Sequence, residues 1–183
     1  MFKYHKGLGV LIAALLALVL VAPVRSQAEM TIEASDQLSM DGTVTISRAV
    51  TAGPAFIVIH ADDGNNASGE VIGYAPVEGG ENSDLHIPVD ISKATPVLHA
   101  MLHTDDHEIG KYEFGTVEGA DSPASVNGSV IDVPFHINTL LAADQIVKNK
   151  VTVGLVIVQQ PSWVVIHAAD ADTFGEAIGE AIP

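Results

Sequence analysis

The stretch FIVIHADD, residues 56–63, decides the fold expected for this chain. It begins with four apolar residues in a row and closes with a histidine, an alanine and two aspartates. A short apolar run bounded by polar residues is typical of a central strand that is buried on both faces. A second such stretch, WVVIHAAD, occupies residues 163–170. We therefore expect a β-rich protein in which one strand unit occurs twice.

Three further segments alternate apolar and polar side chains with the period of two that is typical of half-buried strands. They are TVTISRAV (43–50), LHIPVDI (85–91) and VIDVPFHI (130–137). Clusters of glycine, asparagine, aspartate and proline separate the runs, as turns between strands do. About seven short strands over about a hundred residues predict an all-β fold, an antiparallel sandwich of immunoglobulin-like or similar topology.

Sequence blocks from the first part of the chain recur in the same order in the second part. The matched pairs are Asp36-Gln37 with Asp144-Gln145, VTI (44–46) with VTV (151–153), His60 with His167, and GEVIGYAP (69–76) with GEAIGEAIP (175–183). Their spacing drifts by one residue at a time, as in a duplicated domain. We expect a full copy over residues 29–137 and the first strands of a second copy over residues 138–183.

Three strands of a partial copy leave an apolar face and a ladder edge uncovered. Further sequence beyond the given chain, the first copy, or another molecule would have to cover them. Contact with another protein or self-association through these strands is therefore one of the expected outcomes.

Residues 1–28 have the layout of a secretory signal peptide. Lys3 and Lys6 precede an uncharged apolar run at 8–22, and Ser26 and Ala28 supply small residues for cleavage. An uncleaved membrane anchor is the alternative, but the run is shorter than the roughly 20 residues that a spanning helix needs. We expect a mature protein that begins near Glu29 and is secreted, periplasmic or attached to the cell surface, with no stable membrane span.

The charge and the cysteine count exclude several functions. Without residues 1–28 the chain keeps five basic residues against 23 acidic ones. Such a surface repels phosphate backbones and anionic lipids, so nucleic-acid binding is not expected. The chain has no cysteine, which rules out thiol catalysis and a blue-copper site.

Three motifs occur in the order VIHADD, GEVIGYAPV and AMLHTDDHEIGKYEFG. This order resembles a family of secreted archaeal and bacterial domains of unknown function. The resemblance covers about residues 30–137 as a full copy and 138–183 as a partial one. Ala75 stands where that family often has serine. The resemblance implies a location and an architecture, and it brings no activity.

Histidine is the residue type most suggestive of chemistry. His60 and His103 each end a predicted strand and are followed by acids, so we consider a metal site built from His60, His103 and Asp105. His99 is a possible extra ligand, because it lies on the same strand face as His103. Imidazole and carboxylate ligands suit a divalent metal such as zinc or oxidised copper. The alternative is that each histidine caps its strand by hydrogen bonding.

The acidic segment DDHEIGKYEF (105–114) resembles a calcium loop only weakly, because His107 and Ile109 replace oxygen ligands. We interpret it as a solvated hairpin turn. No nucleophile motif is present, so no catalytic residues and no cofactor are predicted. The expected function is a non-enzymatic structural or protein-contact module of the cell envelope or exterior, and the alternative is an exported metal-binding protein.

Overall fold

The computed structural model of the protein describes Met1, residues 29–171 and residues 173–182. The signal peptide predicted at 1–28 lies outside the described residues, apart from Met1. The strands are β1 (Thr31–Glu33), β2 (Gln37–Leu38), β3 (Thr43–Thr51), β4 (Ala55–Asp62), β5 (Ser68–Val77), β6 (Gly80–Pro88), β7 (Val97–Thr104), β8 (Ser125–Val126), β9 (Ser129–Val130), β10 (Asp132–Leu141), β11 (Leu155–Ile157), β12 (Val164–Asp170) and β13 (Thr173–Ala181). The helical structure among these residues is one 3₁₀ turn, Ile91–Lys93.

Two sheets pack face to face and form the body of the protein. The smaller sheet has the order β1-β3-β6, and the larger has the order β11-β10-β7-β4-β5. Neighbouring strands on these paths are antiparallel, and β2 adds a parallel pairing to β10. The predicted all-β antiparallel sandwich is confirmed.

The core between the two sheets consists of alternating side chains, as the sequence pattern predicts. Val44 and Ile46 of β3 are fully buried, and Ile87 of β6 joins them. Ile57 and Ile59 of β4 lie in the same apolar cluster, so β4 supplies the larger sheet's share of the core. Burial of this kind of side chain contributes about 1.5–3 kcal/mol each, which is why the domain needs no disulfide.

Strand β4 is buried on its second face as well. It lies between β5 and β7, and its residues Phe56, Val58 and His60 are buried without belonging to the core between the sheets. Successive strand side chains point to opposite faces, so these three residues lie on the outer face of the larger sheet. The loop between β7 and β8 covers that face and places Tyr112 against Phe56. The predicted two-sided burial of the strand is therefore observed.

The second part of the chain contributes to two different structures. Strand β10 crosses the expected boundary between residues 137 and 138, and β11 pairs with its last residues, 139–141. Strands β12 and β13 form a separate two-stranded hairpin. None of the helical structure in the described residues has the length and apolarity that crossing a membrane requires.

Gly73 allows the two sheets to approach each other at the end of β6. A Cβ atom at this position would lie 2.3 Å from the Pro88 carbonyl oxygen and 2.8 Å from Val89 Cγ1. Gly179 is its counterpart in the β12–β13 hairpin, where a Cβ would meet nothing closer than 3.9 Å.

We predict that Gly73→Ala lowers the free energy of unfolding by about 2 kcal/mol or more, because backbone must move to admit the methyl group. Gly179→Ala is the matched control and should change stability by less than about 0.5 kcal/mol. Urea unfolding followed by circular dichroism measures both. Equal stability of the two variants would show that the sheets do not meet at Gly73.

Candidate functional site

Two histidines from adjacent strands come together on the outer face of the larger sheet. His60 lies on β4 and His103 on β7. Their ring centres are 5.7 Å apart. In the register of the two strands, the pair formed by Val58 and Met101 lies between them. The exposed fractions are 5% for His60 and 0% for His103. Two of the residues predicted as metal ligands are therefore neighbours inside the protein.

Each of these histidines makes its hydrogen bond through Nδ1. His60 Nδ1 lies 2.9 Å from the Gly69 carbonyl oxygen, and His103 Nδ1 lies 2.8 Å from the Asp121 carbonyl oxygen. A carbonyl oxygen only accepts, so both Nδ1 atoms carry the proton and donate. Both Nε2 atoms are buried and have no hydrogen-bond partner. A ring in its neutral form therefore presents a bare nitrogen lone pair inside the protein.

A β-bulge produces the His60 contact. The register between β4 and β5 shifts on both sides of His60, and this shift brings Gly69 next to the imidazole. A Cβ on Gly69 would lie 3.0 Å from the Ala61 carbonyl oxygen. Glycine is needed here because the bulge brings the two backbones close together.

Burial keeps His103 neutral. Removal from water lowers the pKa of His103 from 6.5 to about 4, the nearby His60 lowers it further, and the Asp121 carbonyl acts in the opposite direction. The ring therefore stays uncharged at pH values well above about 4.

His99 is held by carboxylates on both ring nitrogens. Its Nδ1 lies 3.0 Å from Asp132 Oδ1, and its Nε2 lies 3.1 Å from Asp62 Oδ2. The hydrogen bond from His99 is the main cause of a lowered pKa at Asp62. With both nitrogens engaged, His99 is not free to act as the extra ligand.

Asp105 does not complete a ligand set with the two histidines. Its Oδ2 accepts a hydrogen bond from the Gly110 backbone N–H at 2.7 Å, and its Oδ1 is buried without a partner. Within the part of the chain that the structure describes, no three or more His, Asp or Glu side chains are grouped so that they could hold a metal ion. Of the three ligands predicted from the sequence, His60 and His103 therefore lie together, and Asp105 does not form a group with them.

The segment that follows β7 is exposed over residues 106–111, as a solvated turn would be, but it is anchored by acidic residues that are buried. Asp105, Glu113 and Asp121 are all buried, because they bond to the loop itself. Asp121 Oδ2 accepts from the Glu113 N–H, and the Glu113 carboxylate contacts Lys111 and His107. The Lys111 hydrogen bond, followed by that of His107, lowers the pKa of Glu113 from 4.5 to about 2.

Aromatic side chains lie against the His103 side of the histidine pair. Tyr112 stacks on Tyr74 with ring centres 4.2 Å apart, and Phe114 meets the His103 ring edge-on at 4.7 Å. Burial raises the pKa of Tyr112 above its ordinary value. No role at the site was predicted from the sequence for these aromatic residues. The signal available was the alternation of Tyr112 and Phe114, since apolar residues at alternate positions indicate a segment that covers a surface.

The β12–β13 hairpin has the same local geometry as β4–β5. His167 Nδ1 lies 2.9 Å from the Gly175 carbonyl oxygen, and the register shifts on both sides of His167. Earlier in the chain, Gln145 exchanges two hydrogen bonds with the Thr152 backbone, as Gln37 does with Thr45. In contrast to His60, His167 is not buried, and no second histidine lies against it among the ring contacts of the described residues.

The fold and the site together define an antiparallel β-sandwich domain with a buried, hydrogen-bonded histidine pair under an aromatic loop. The domain family of unknown function DUF7282 matches residues 30–136, more than half of the chain. The protein therefore belongs to this family, and the matched region contains the sandwich except for the end of β10 and strand β11. No curated protein and no solved structure matches the chain.

We predict that acidification from pH 6.5 to pH 5 removes about 2 kcal/mol of the stability that neutral His103 provides. The unfolded chain binds a proton near its ordinary pKa of 6.5, whereas the folded protein resists protonation until its pKa of about 4, so this share of stability is lost as the pH falls.

Urea unfolding of chelator-treated protein at both pH values tests this, with His103→Gln as the reference that lacks the titrating group. Between pH 6.5 and pH 5, the free energy of unfolding of the variant should fall by about 2 kcal/mol less than that of the natural protein. An NMR titration that gives the His103 ring a pKa near 6.5 would contradict the prediction.

Proposed function

We propose that the protein is an exported, non-enzymatic β-sandwich module of the cell envelope or exterior, and that it acts by protein contact. In this proposal the contact surface is the β12–β13 hairpin, and its occupant is the same hairpin of a second copy. The observation that carries the proposal is the difference in environment between two strands of similar sequence, β4 and β12.

Strand β4 has neighbours on both sides, whereas β12 pairs only with β13 in the part of the chain that is described. One edge of β12 therefore presents backbone N–H and C=O groups without ladder partners. Such an edge is a template for pairing with another strand. The hairpin also exposes large apolar side chains: Trp163 at 61%, Phe174 at 88% and Ile178 at 66%.

The composition of β12 supports pairing with itself. Residues 164–169 carry no Asp, Glu, Lys, Arg or Pro, and those are the residues that usually block the edges of sheets. Two copies of β12 can pair antiparallel around a two-fold axis, so that each strand provides the missing neighbour of the other. The rest of the chain is strongly acidic, which makes such an association weaker at low salt.

Two further features support an exported and non-enzymatic role. The layout of residues 1–28 is that of a signal peptide. His60, His99 and His103 are buried, and they use ring nitrogens to hold backbone carbonyls and carboxylates. Groups enclosed in this way are not positioned to meet a substrate.

Sedimentation velocity of the untagged protein over a range of concentrations and salt tests the proposed contact. We expect a monomer–dimer equilibrium that shifts toward the dimer as salt rises. Val165→Lys should weaken the association by about tenfold or more, because a lysine on the edge strand opposes pairing with another strand.

Ile109→Lys is the matched control. It adds the same charge at an exposed apolar residue of the loop after β7, away from the hairpin, and it should leave the equilibrium unchanged. A protein that stays monomeric at every concentration, or an equal effect of both variants, would contradict self-association through β12.

A further inference from the structure

Among the buried side-chain atoms without a partner in the described fold, the Nε2 atoms of the histidine pair are the ones that belong to imidazole rings. Both are buried without a partner, and both are acceptors because each Nδ1 holds the proton. Two acceptors cannot satisfy each other. A buried polar atom without a partner costs about 1–3 kcal/mol, so the site favours a ligand that accepts two lone pairs at once.

We propose that His60 and His103 bind one copper(I) ion between their Nε2 atoms, with the thioether sulfur of Met101 as a third ligand. The site lies inside the sandwich domain and is independent of the hairpin contact. It differs from the divalent site expected from sequence, because it contains no carboxylate.

The ring geometry can hold a single ion. Metal–imidazole bonds of about 2.0–2.1 Å place two nitrogens at most about 4 Å apart when they lie on opposite sides of the ion. The ring centres of His60 and His103 are 5.7 Å apart, which is short for two rings on opposite sides of one ion and suits a bent arrangement completed by a third ligand. Both Nδ1 protons are already fixed by backbone carbonyls, and such bonds orient metal-binding histidines and raise their basicity.

Met101 lies between the two histidine positions in the strand register. It is the register partner of Val58, and it lies on β7 two residues before His103. Because strand side chains alternate, Met101 is on the same face as both histidines. In the register of β4 and β7, the Val58–Met101 pair lies between the positions of His60 and His103. Its exposed fraction is 8%, so the thioether is buried with the rings.

The chemistry of these ligands selects a soft ion of low charge. Thioether sulfur favours copper(I), whereas calcium, magnesium and manganese prefer oxygen ligands. Asp105, the acid predicted as a ligand, directs one oxygen to Gly110. The two imidazoles add no charge of their own, and the cost of burying an ion grows with its charge. The buried Asp121 carboxylate, whose charge acts on His103, supplies one nearby negative charge. A monovalent ion is therefore favoured over zinc.

A bridging water molecule is the competing account, since it can donate one hydrogen to each Nε2. That account predicts no metal affinity and no role for the Met101 sulfur. Copper(I) binding predicts both.

The first experiment measures copper(I) binding to the untagged protein by competition with a chromogenic copper(I) chelator, under anaerobic and reducing conditions. We expect one ion per chain. Met101→Leu and His60→Gln should weaken the affinity by at least about tenfold. Met101→Leu is informative because the replacement conserves volume and keeps the packing.

His167→Gln is the matched control for His60→Gln. His167 makes the same Nδ1 bond to a glycine carbonyl oxygen, at 2.9 Å, but has no facing histidine, so its replacement should leave copper(I) binding unchanged. Equal losses in the two variants, an unchanged affinity in Met101→Leu, or zinc binding at the same residues with greater affinity would overturn the proposal.

A second measurement needs no variant and remains valid if the substitutions disturb folding. Silver(I) is a redox-stable substitute for copper(I), and imidazole ¹⁵N NMR reports which nitrogens bind it. One equivalent of silver(I) should shift the Nε2 signals of His60 and His103 and leave those of His86 and His136 in place. An absence of any shift, or shifts at the exposed histidines alone, would contradict the site.

Discussion

The structure depends on the burial of β4 on both of its faces. On one face Ile57 and Ile59 complete the core between the sheets, and removal of these side chains from water is the main force that holds the sheets together. On the other face Phe56 and His60 lie beneath the loop after β7. A chain without cysteine has to gain its stability in this way, and a strand with two apolar faces makes two layers of packing possible around one element.

The second face explains why histidines are buried in this fold. Because the loop carries Tyr112 and Phe114 over the sheet, any polar group beneath it must find a partner within the protein. The bulge in β5 offers the Gly69 carbonyl to His60, and the loop offers the Asp121 carbonyl to His103. These contacts fix both rings in one tautomer and leave the Nε2 atoms of two neighbouring rings buried without a partner. The histidine pair is thus a consequence of how the sheet is covered.

The architecture and part of the site could be predicted from the sequence. Alternation over β3, β6 and β10 predicted strands that the structure contains, and the apolar run of β4 predicted its central place, because hydrophobic period and burial are directly linked. Proximity of His60 and His103 was also expected. The roles of their neighbours were not readable, since the bonds that engage His99 and the turn that buries Glu113 and Asp121 depend on contacts distant in sequence. Acidic residues in a loop look solvated until their backbone partners are known.

Strands β4 and β12 carry nearly the same residues in different surroundings, so the protein contains its own control for the central claim. The two strands share the sequence VIHA. Burial on both faces, rather than this shared sequence, should determine how strongly the backbone amides of a strand are protected from hydrogen exchange. Native-state hydrogen exchange measures this strand by strand. Amides of β4 should exchange only with global unfolding, while the outer amides of β12 exchange far more readily in the monomeric protein. Equal protection of the two strands, or faster exchange in β4, would contradict the account.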